Sequence, residues 1–152
     1  MNKGEAAPIR GGCSCGGFSF DADRAPITRF ICHCLFCQDF TGQAFSDVAV
    51  FKARHLRTRG ADALDWQKYR GPPNLRRGRC RQCGNPALET MGFRPFKLLF
   101  IPFASVADPS RLPSPKLHAF YDRRVVDADD RVPKYSYYWP SEIAITKSIM
   151  GL

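Results

Sequence analysis

The chain has no apolar run long enough to cross a membrane. Its longest, residues 98–104, contains Pro102 and falls far short of the ~20 residues that span a bilayer as a helix. The opening dozen residues, Met-Asn-Lys-Gly-Glu-Ala-Ala-Pro-Ile-Arg-Gly-Gly, lack the apolar core of a secretory signal. A soluble, cytoplasmic protein with no membrane partner is therefore expected. No internal repeat is visible and no linker divides the chain. No recognition-helix motif appears, and the basic residues form no continuous tail. Pro102, Pro109, Pro113 and Pro115 exclude a long helix between them, because an interior proline removes a backbone donor and clashes with the preceding turn.

What the sequence has in excess is clustered cysteine. Seven are present, which in a secreted chain would suggest three disulfides and an odd thiol. In a reducing compartment clustered thiols instead bind metal or carry redox chemistry. Cys13 and Cys15 form one close pair, Cys80 and Cys83 another, and Cys32, Cys34 and Cys37 fall within one short stretch, Cys-His-Cys-Leu-Phe-Cys. Four thiolates close a tetrahedral zinc site of the structural kind, whereas three leave a position open, as in a catalytic site. A four-plus-three division uses every cysteine and gives two zinc ions per chain. The structural one would sit on Cys13, Cys15, Cys80 and Cys83, and the catalytic one on Cys32, Cys34 and Cys37. Spacing alone permits another division. Cys34 and Cys37 with Cys80 and Cys83 would make a zinc ribbon, often a nucleic-acid-binding module, and would strand Cys13, Cys15 and Cys32.

Lys and Arg number 23 against 14 Asp and Glu, for a formal net charge of +9. Zinc thiolate sites would lower this to about +6. Such a surface favours anionic partners: nucleic acid, an acidic protein or a carboxylate-bearing metabolite. Charge does not choose among them.

The elements read as short strands. Residues 18–20 alternate in polarity and residues 27–31 deliver the chain into Cys32, so the two read as a hairpin turning near Pro26. Residues 38–45 read as a helical turn and loop ended by Gly42, and 47–51 as a strand with Val48 and Val50 on one face. Residues 52–59 are basic, with His55 in the middle. Segments 64–70 and 75–79 are strand candidates about the turn Gly-Pro-Pro-Asn at 71–74. Residues 86–91 and 97–103 are further strands, the latter the most apolar and therefore central. Residues 116–121 form a strand carrying His118, 123–130 a charged turn, and 132–139 an aromatic-rich segment. The tail, 141–152, is compatible with a short helix that partly buries Ile143, Ile145 and Ile149. A mainly β fold follows, with residues 1–10 a flexible lead and 11–140 a single domain.

Gly-x-Cys-x-Cys-Gly at 11–16, Cys-His-Cys-x-x-Cys-Gln at 32–38 followed by Thr41-Gly42 and Ala44-Phe45, and Cys-x-x-Cys-Gly at 80–84 resemble the glutathione-dependent formaldehyde-activating enzyme (Gfa) family, which also includes centromere protein V. The similarity continues more weakly through Leu88, residues 115–118 and Val132-Pro133-Lys134-Tyr135. It implies an antiparallel β-tent fold related to Mss4-like proteins, with little helix, and the four-plus-three division of the cysteines. It also implies a carbon–sulfur lyase that joins glutathione and formaldehyde into S-hydroxymethylglutathione. Two positions depart from the family pattern: Arg79 stands where an aromatic residue is common, and Asn85 where Ser or Thr is common. Both lie beside ligands rather than at them, so the departures bear on the substrate and not on zinc.

A zinc already holding three thiolates is a weak Lewis acid and better suited to a fourth thiolate. Cys32, Cys34 and Cys37 would thus present the substrate sulfur to the aldehyde, lowering its pKa from about 8.5. Glutathione's two carboxylates call for basic residues, and Arg29, Arg54, Arg57, Arg76, Arg77 and Arg81 are the candidates. Interleaved with Trp66 and Tyr69, the same arginines could form a nucleic-acid patch, which is the competing reading of a non-catalytic zinc module on DNA or chromatin. His33 alternates away from its neighbouring ligands and reads as a supporting contact. His118 reads as a structural histidine or else a proton carrier or fourth ligand, and His55 as exposed. Gln38 is placed to hydrogen-bond a sulfur or the substrate, and Phe36 and Phe45 read as core.

Overall fold

A computed structural model of the chain describes residues 7–68 and 74–152. Among these residues there are ten strands and two α-helices, so the fold is mainly β. In chain order the strands are β1 (Ile9–Gly12), β2 (Ser19–Ala22), β3 (Thr28–Cys32), β4 (Ser46–Lys52), β5 (Leu56–Arg59), β6 (Leu64–Lys68), β7 (Arg76–Cys80), β8 (Pro86–Met91), β9 (Leu98–Pro102) and β10 (His118–Ala119). Helix α1 (Leu35–Thr41) follows β3, and α2 (Tyr138–Met150) ends the chain. No helix of the described residues is long and apolar enough to cross a membrane.

The strands form two sheets. The smaller has the order β1-β2-β5 and the larger β10-β3-β4-β9-β8-β7-β6. All pairings are antiparallel except that of β10 with β3. Strand β9, the most apolar stretch, takes the middle place of the larger sheet. Alternation along the central strands gives that sheet two apolar faces. Ala49 and Phe51 of β4 join Leu99 and Ile101 of β9 in a core shared with Phe18, Phe20 and Leu56 from the smaller sheet. Val48 and Val50 face the other way and pack with Phe30, Phe100 and Ala144 of α2. The larger sheet is thus covered by the smaller sheet on one face and by α2 on the other.

Several expectations are corrected. Residues 18–20 and 27–31 are not a hairpin: β2 pairs with β1 and β5, and β3 with β4 and β10. Strand β2 finds its partner across the Cys13–Cys15 turn, and the segment through Pro26 carries the chain from one sheet to the other. Ile9 and Arg10, expected in the flexible lead, belong to β1, where Ile9 is buried in the shared core. The basic stretch 52–59 contains β5, because Leu56 supplies an inward side chain while its charged neighbours face solvent. The strand carrying His118 is only two residues long. The tail helix begins at Tyr138, earlier than expected, and Ile143 is exposed while Ile145 and Ile149 pack inward. Its end is fixed by Gly151, left-handed at φ 75°, with Leu152 N–H bonded to the Lys147 carbonyl at 2.8 Å, a Schellman arrangement. Strands β6 and β7 pair as expected, though most of their turn, residues 69–73, lies outside the described residues, and Tyr69 with it.

Candidate metal centres and the cavity beside them

The seven sulfurs gather as four and three. Cys13, Cys15, Cys80 and Cys83 have all their sulfurs within 4.8 Å of one another, and so do Cys32, Cys34 and Cys37. Tetrahedral zinc with Zn–S of about 2.3 Å separates its sulfurs by about 3.8 Å, so both groups fit the ion. The ribbon grouping of Cys34 and Cys37 with Cys80 and Cys83 does not form.

The four-cysteine group joins the two sheets. Cys13 and Cys15 lie in the turn between β1 and β2; Cys80 ends β7 and Cys83 lies in the turn that leads to β8. Cys15 Sγ stands 3.4 Å from Cys13 Sγ and 3.4 Å from Cys80 Sγ. Backbone amides point at the sulfurs, Phe18 N–H at Cys13 (3.1 Å) and Gly17 N–H at Cys15 (3.4 Å), as they do where thiolate charge is to be stabilised. The cradle leaves no room beside it: a Cβ on Gly17 would lie 3.2 Å from Cys80 Sγ and 3.4 Å from Cys15 Sγ. Gly84, at φ 73°, turns its N–H back onto the Cys80 carbonyl at 2.8 Å. That left-handed conformation costs glycine nothing and other residues about 1 kcal/mol.

The three-cysteine group is built at the junction of β3 and α1. Cys32 ends the strand, Cys34 caps the helix by accepting from Cys37 N–H at 3.3 Å, and Cys37 lies one turn on. Gly42 closes α1 in the left-handed conformation, its N–H bonded to the Gln38 carbonyl at 2.9 Å. Cys32 and Cys37 are buried and Cys34 partly so. Hydrogen bonds among the sulfurs, from Cys32 first and Cys37 second, push the Cys34 thiol down to about 3, while the contact with Cys34 pushes Cys32 up and those with Cys32 and then Cys34 push Cys37 up. One sulfur therefore takes the first negative charge, and a divalent cation is what would let all three ionise together.

Arg77 adds a cation on the buried side. Its Nη2 is 3.5 Å from Cys37 Sγ and its Nε donates to Glu89 Oε2 at 2.8 Å across the β7–β8 pairing. Both side chains of this pair are buried. Burial raises the Glu89 carboxyl, against the pull of Arg77.

The three-cysteine group opens onto a cavity of about 520 Å³ whose lining includes Cys32, Cys34, Cys37, Arg77 and Glu89. Helix α2 forms one wall with Tyr138, Glu142, Ile145 and Ile149. Of the six candidate arginines, of which one or two are expected to reach substrate, Arg77 alone lines it. Arg29 is bound to Asp47 through both Nε and Nη2 (2.9 and 2.8 Å), Arg54 donates to His55, and Arg76 lies over Trp66. Arg57 and Arg81 are exposed and outside the lining. Arg123, which no motif marked, does line the cavity.

Phe36 is exposed and forms part of the rim rather than the core, because α1 turns Cys37 and Phe40 inward instead. Phe45 is 42% exposed and meets the His33 ring at 5.6 Å. Gln38 bonds neither a sulfur nor the cavity: its amide donates to the carbonyls of His33 and Arg123, both at 2.8 Å, and clips α1 to the segment after β10. Arg79, the departure from the family pattern, donates to the Asp39 carbonyl at 2.9 Å and lies over Phe40, so it packs against α1 as an aromatic residue could.

His118 is not gathered with the three sulfurs. It links His33 Nε2 (2.9 Å from its Nδ1) to Asp130 Oδ2 (2.9 Å from its Nε2), and Lys134 Nζ bonds Asp130 Oδ1 at 2.8 Å. Both imidazoles are buried. Burial first and His118 second push His33 down to about 4, while Lys134 and then His118 hold Asp130 down to about 2. Residue identity foretold the histidines, but nothing in the spacing marked Asp130 as their partner.

Comparison with known proteins agrees with this architecture. The sequence profile of the family described as glutathione-dependent formaldehyde-activating enzyme matches residues 8–123. No curated protein matches the chain. Among solved structures, a crystal structure of a Rhodobacter sphaeroides protein, determined by a structural genomics consortium, superposes with a TM-score of 0.52 at 20% identity, covering 83% of this chain and 99% of that one. At that identity the likeness is one of fold. With three cysteine-bearing motifs, the fold and a profile match over most of its length, the chain belongs to the glutathione-dependent formaldehyde-activating enzyme family.

Proposed function

We propose that this protein is a zinc-dependent carbon–sulfur lyase that forms and cleaves thiol–aldehyde adducts, the family's reaction being glutathione with formaldehyde. The observation that carries the reading is that all three cysteines of the three-sulfur group line a cavity large enough for a small-molecule adduct. Zinc, when bound by Cys32, Cys34 and Cys37, would supply a position for a substrate sulfur and favour its thiolate form. Cys13, Cys15, Cys80 and Cys83 would hold a second zinc that staples the two sheets. In the forward direction a sulfur–carbon bond forms, the carbonyl π pair passes to oxygen, and the proton that left sulfur ends on that oxygen. Arg77 offsets the negative charge gathered at Cys37, and Glu89 fixes Arg77 in place. Seven cysteines with no disulfide suit a reducing compartment such as the cytoplasm.

Exchange NMR of S-hydroxymethylglutathione with formaldehyde, with and without zinc-loaded protein, tests the reading. Acceleration that vanishes in Cys34→Ser while the fold survives supports it, and equal exchange with and without protein removes it.

A further inference from the structure

Beside the three-cysteine group the cavity is walled by hydrocarbon. Phe30, Val48, Met91 and Phe100 line it from the larger sheet, and Ile145 and Ile149 face them from α2. Its charged groups among the described residues include Arg77, Arg123, Glu89, Asp122 and Glu142. Arg77 is committed to Glu89, and Arg123 Nε lies 3.6 Å from Asp122 Oδ2. Formaldehyde would leave this hydrocarbon wall uncovered, and glutathione, with carboxylates at both ends, brings no apolar side group to lay against it. Helix α2 (Tyr138–Met150) lies beyond residues 8–123, the part matched by the family profile.

Resting on the lyase reading above, we infer that the adduct handled here carries an apolar carbon group, on the thiol or on the aldehyde, that packs between the sheet and Ile145 and Ile149 of α2. Burial of a phenyl-sized group against such walls is worth a tenfold or greater difference in affinity, roughly. The two isoleucines are one helical turn apart and half-buried, so they make one stripe that a ligand reads together.

The test uses the zinc-loaded full chain. Calorimetry compares 2-phenylethanethiol with glutathione, and exchange NMR compares three adducts: glutathione with formaldehyde, glutathione with phenylacetaldehyde, and 2-phenylethanethiol with formaldehyde. The expected result is a Kd about tenfold or more lower for 2-phenylethanethiol than for glutathione. Ile149→Lys narrows that ratio about tenfold, with zinc content and circular dichroism unchanged. If the lysine variant misfolds, Ile149→Ala reports on the same contact with a smaller loss. The faster of the two phenyl adducts identifies which partner brings the apolar group. Glutathione binding as tightly as the phenyl thiol, or a ratio untouched by both substitutions, would overturn the inference while leaving the lyase reading in place. If no adduct is turned over, the lyase reading falls, and the binding ratio still decides whether the cavity takes an apolar ligand.

Discussion

The guanidinium of Arg77 bridges Glu89 and Cys37, 2.8 Å from the carboxylate oxygen and 3.5 Å from the sulfur. A buried ion pair contributes little net stability, yet removing one partner strands the other's charge, at a cost of roughly 3–5 kcal/mol. Arg77→Met is expected to lower the unfolding free energy by about that amount, measured by denaturant titration at fixed zinc, and Arg77→Met with Glu89→Leu to recover most of it. The single substitution is also expected to weaken metal binding at the three-cysteine group in a chelator competition, which the effect on folding alone would not do. An additive double-mutant cycle would mean that the two side chains do not act as a pair.

The two cysteine groups are expected to differ in what their loss does. Structural zinc contributes roughly 10–16 kcal/mol in small peptides, comparable with the 5–15 kcal/mol net stability of typical domains. Cys80→Ser is therefore expected to abolish a cooperative thermal transition, and Cys34→Ser to keep it while zinc content falls by one ion. Metal analysis beside calorimetry reads both. A cooperatively folded Cys80→Ser protein with native-like stability would show that the sheets need no staple.

Gly17 provides a finer test of the same cradle. An alanine Cβ there would stand 3.2 Å from Cys80 Sγ, closer than ordinary contact, and 3.4 Å from Cys15 Sγ. Gly17→Ala is expected to weaken metal binding at this group about tenfold, or about 1.4 kcal/mol, with the three-cysteine group unaffected. Equal affinity would mean that the cradle has slack.

The chain Asp130–His118–His33 fixes two tautomers. An ionised carboxylate only accepts, so His118 carries its proton on Nε2 and accepts at Nδ1 from the Nε2–H of His33. His33 Nδ1 is then a bare acceptor, buried without a hydrogen-bond partner among the described residues. Nitrogen-detected NMR is expected to show the Nε2–H form for both rings in the wild type and a relaxed preference at His118 in Asp130→Ala. Because burial disfavours the imidazolium, His33 takes up its proton only near pH 4 rather than 6.5. Between those values the unfolded chain binds a proton the folded chain does not, so this residue's contribution to stability declines as pH falls through that window. A His33 resonance that titrates near pH 6.5 would contradict its burial.

Those parts of the molecule that depend on local pattern were legible in the sequence. The alternation of Val48 and Val50, the apolar run that became β9, the Gly42 stop of α1 and the spacing of the cysteines each act over a few residues. Partners far apart in sequence were not. Phe18-Ser19-Phe20 looks like a hairpin arm to whatever strand follows, and only the sheet chooses β1 and β5. Arg77 reads as one basic residue among several until β8 brings Glu89 opposite it. The α2 wall was hidden for a related reason. Ile143, Ile145 and Ile149 look alike in sequence, and only docking against β3 and β10 decides which of them face the cavity.

Strand β7 carries Arg77 near one end and Cys80 at the other, one residue touching the open sulfur group and the other belonging to the closed one. The strand is hydrogen-bonded on both sides, to β6 and to β8, with a shift of register against β8 between Gly78 and Arg79. A metal ion on the four-cysteine group would hold Cys80, and along the same strand would bear on the distance from Arg77 to Cys37. The two metal affinities should then be thermodynamically linked, each ion binding more tightly when the other is present, with reciprocal coupling. A metal taken up by one group of sulfurs would then make the other group's uptake easier, so neither would load as an independent site.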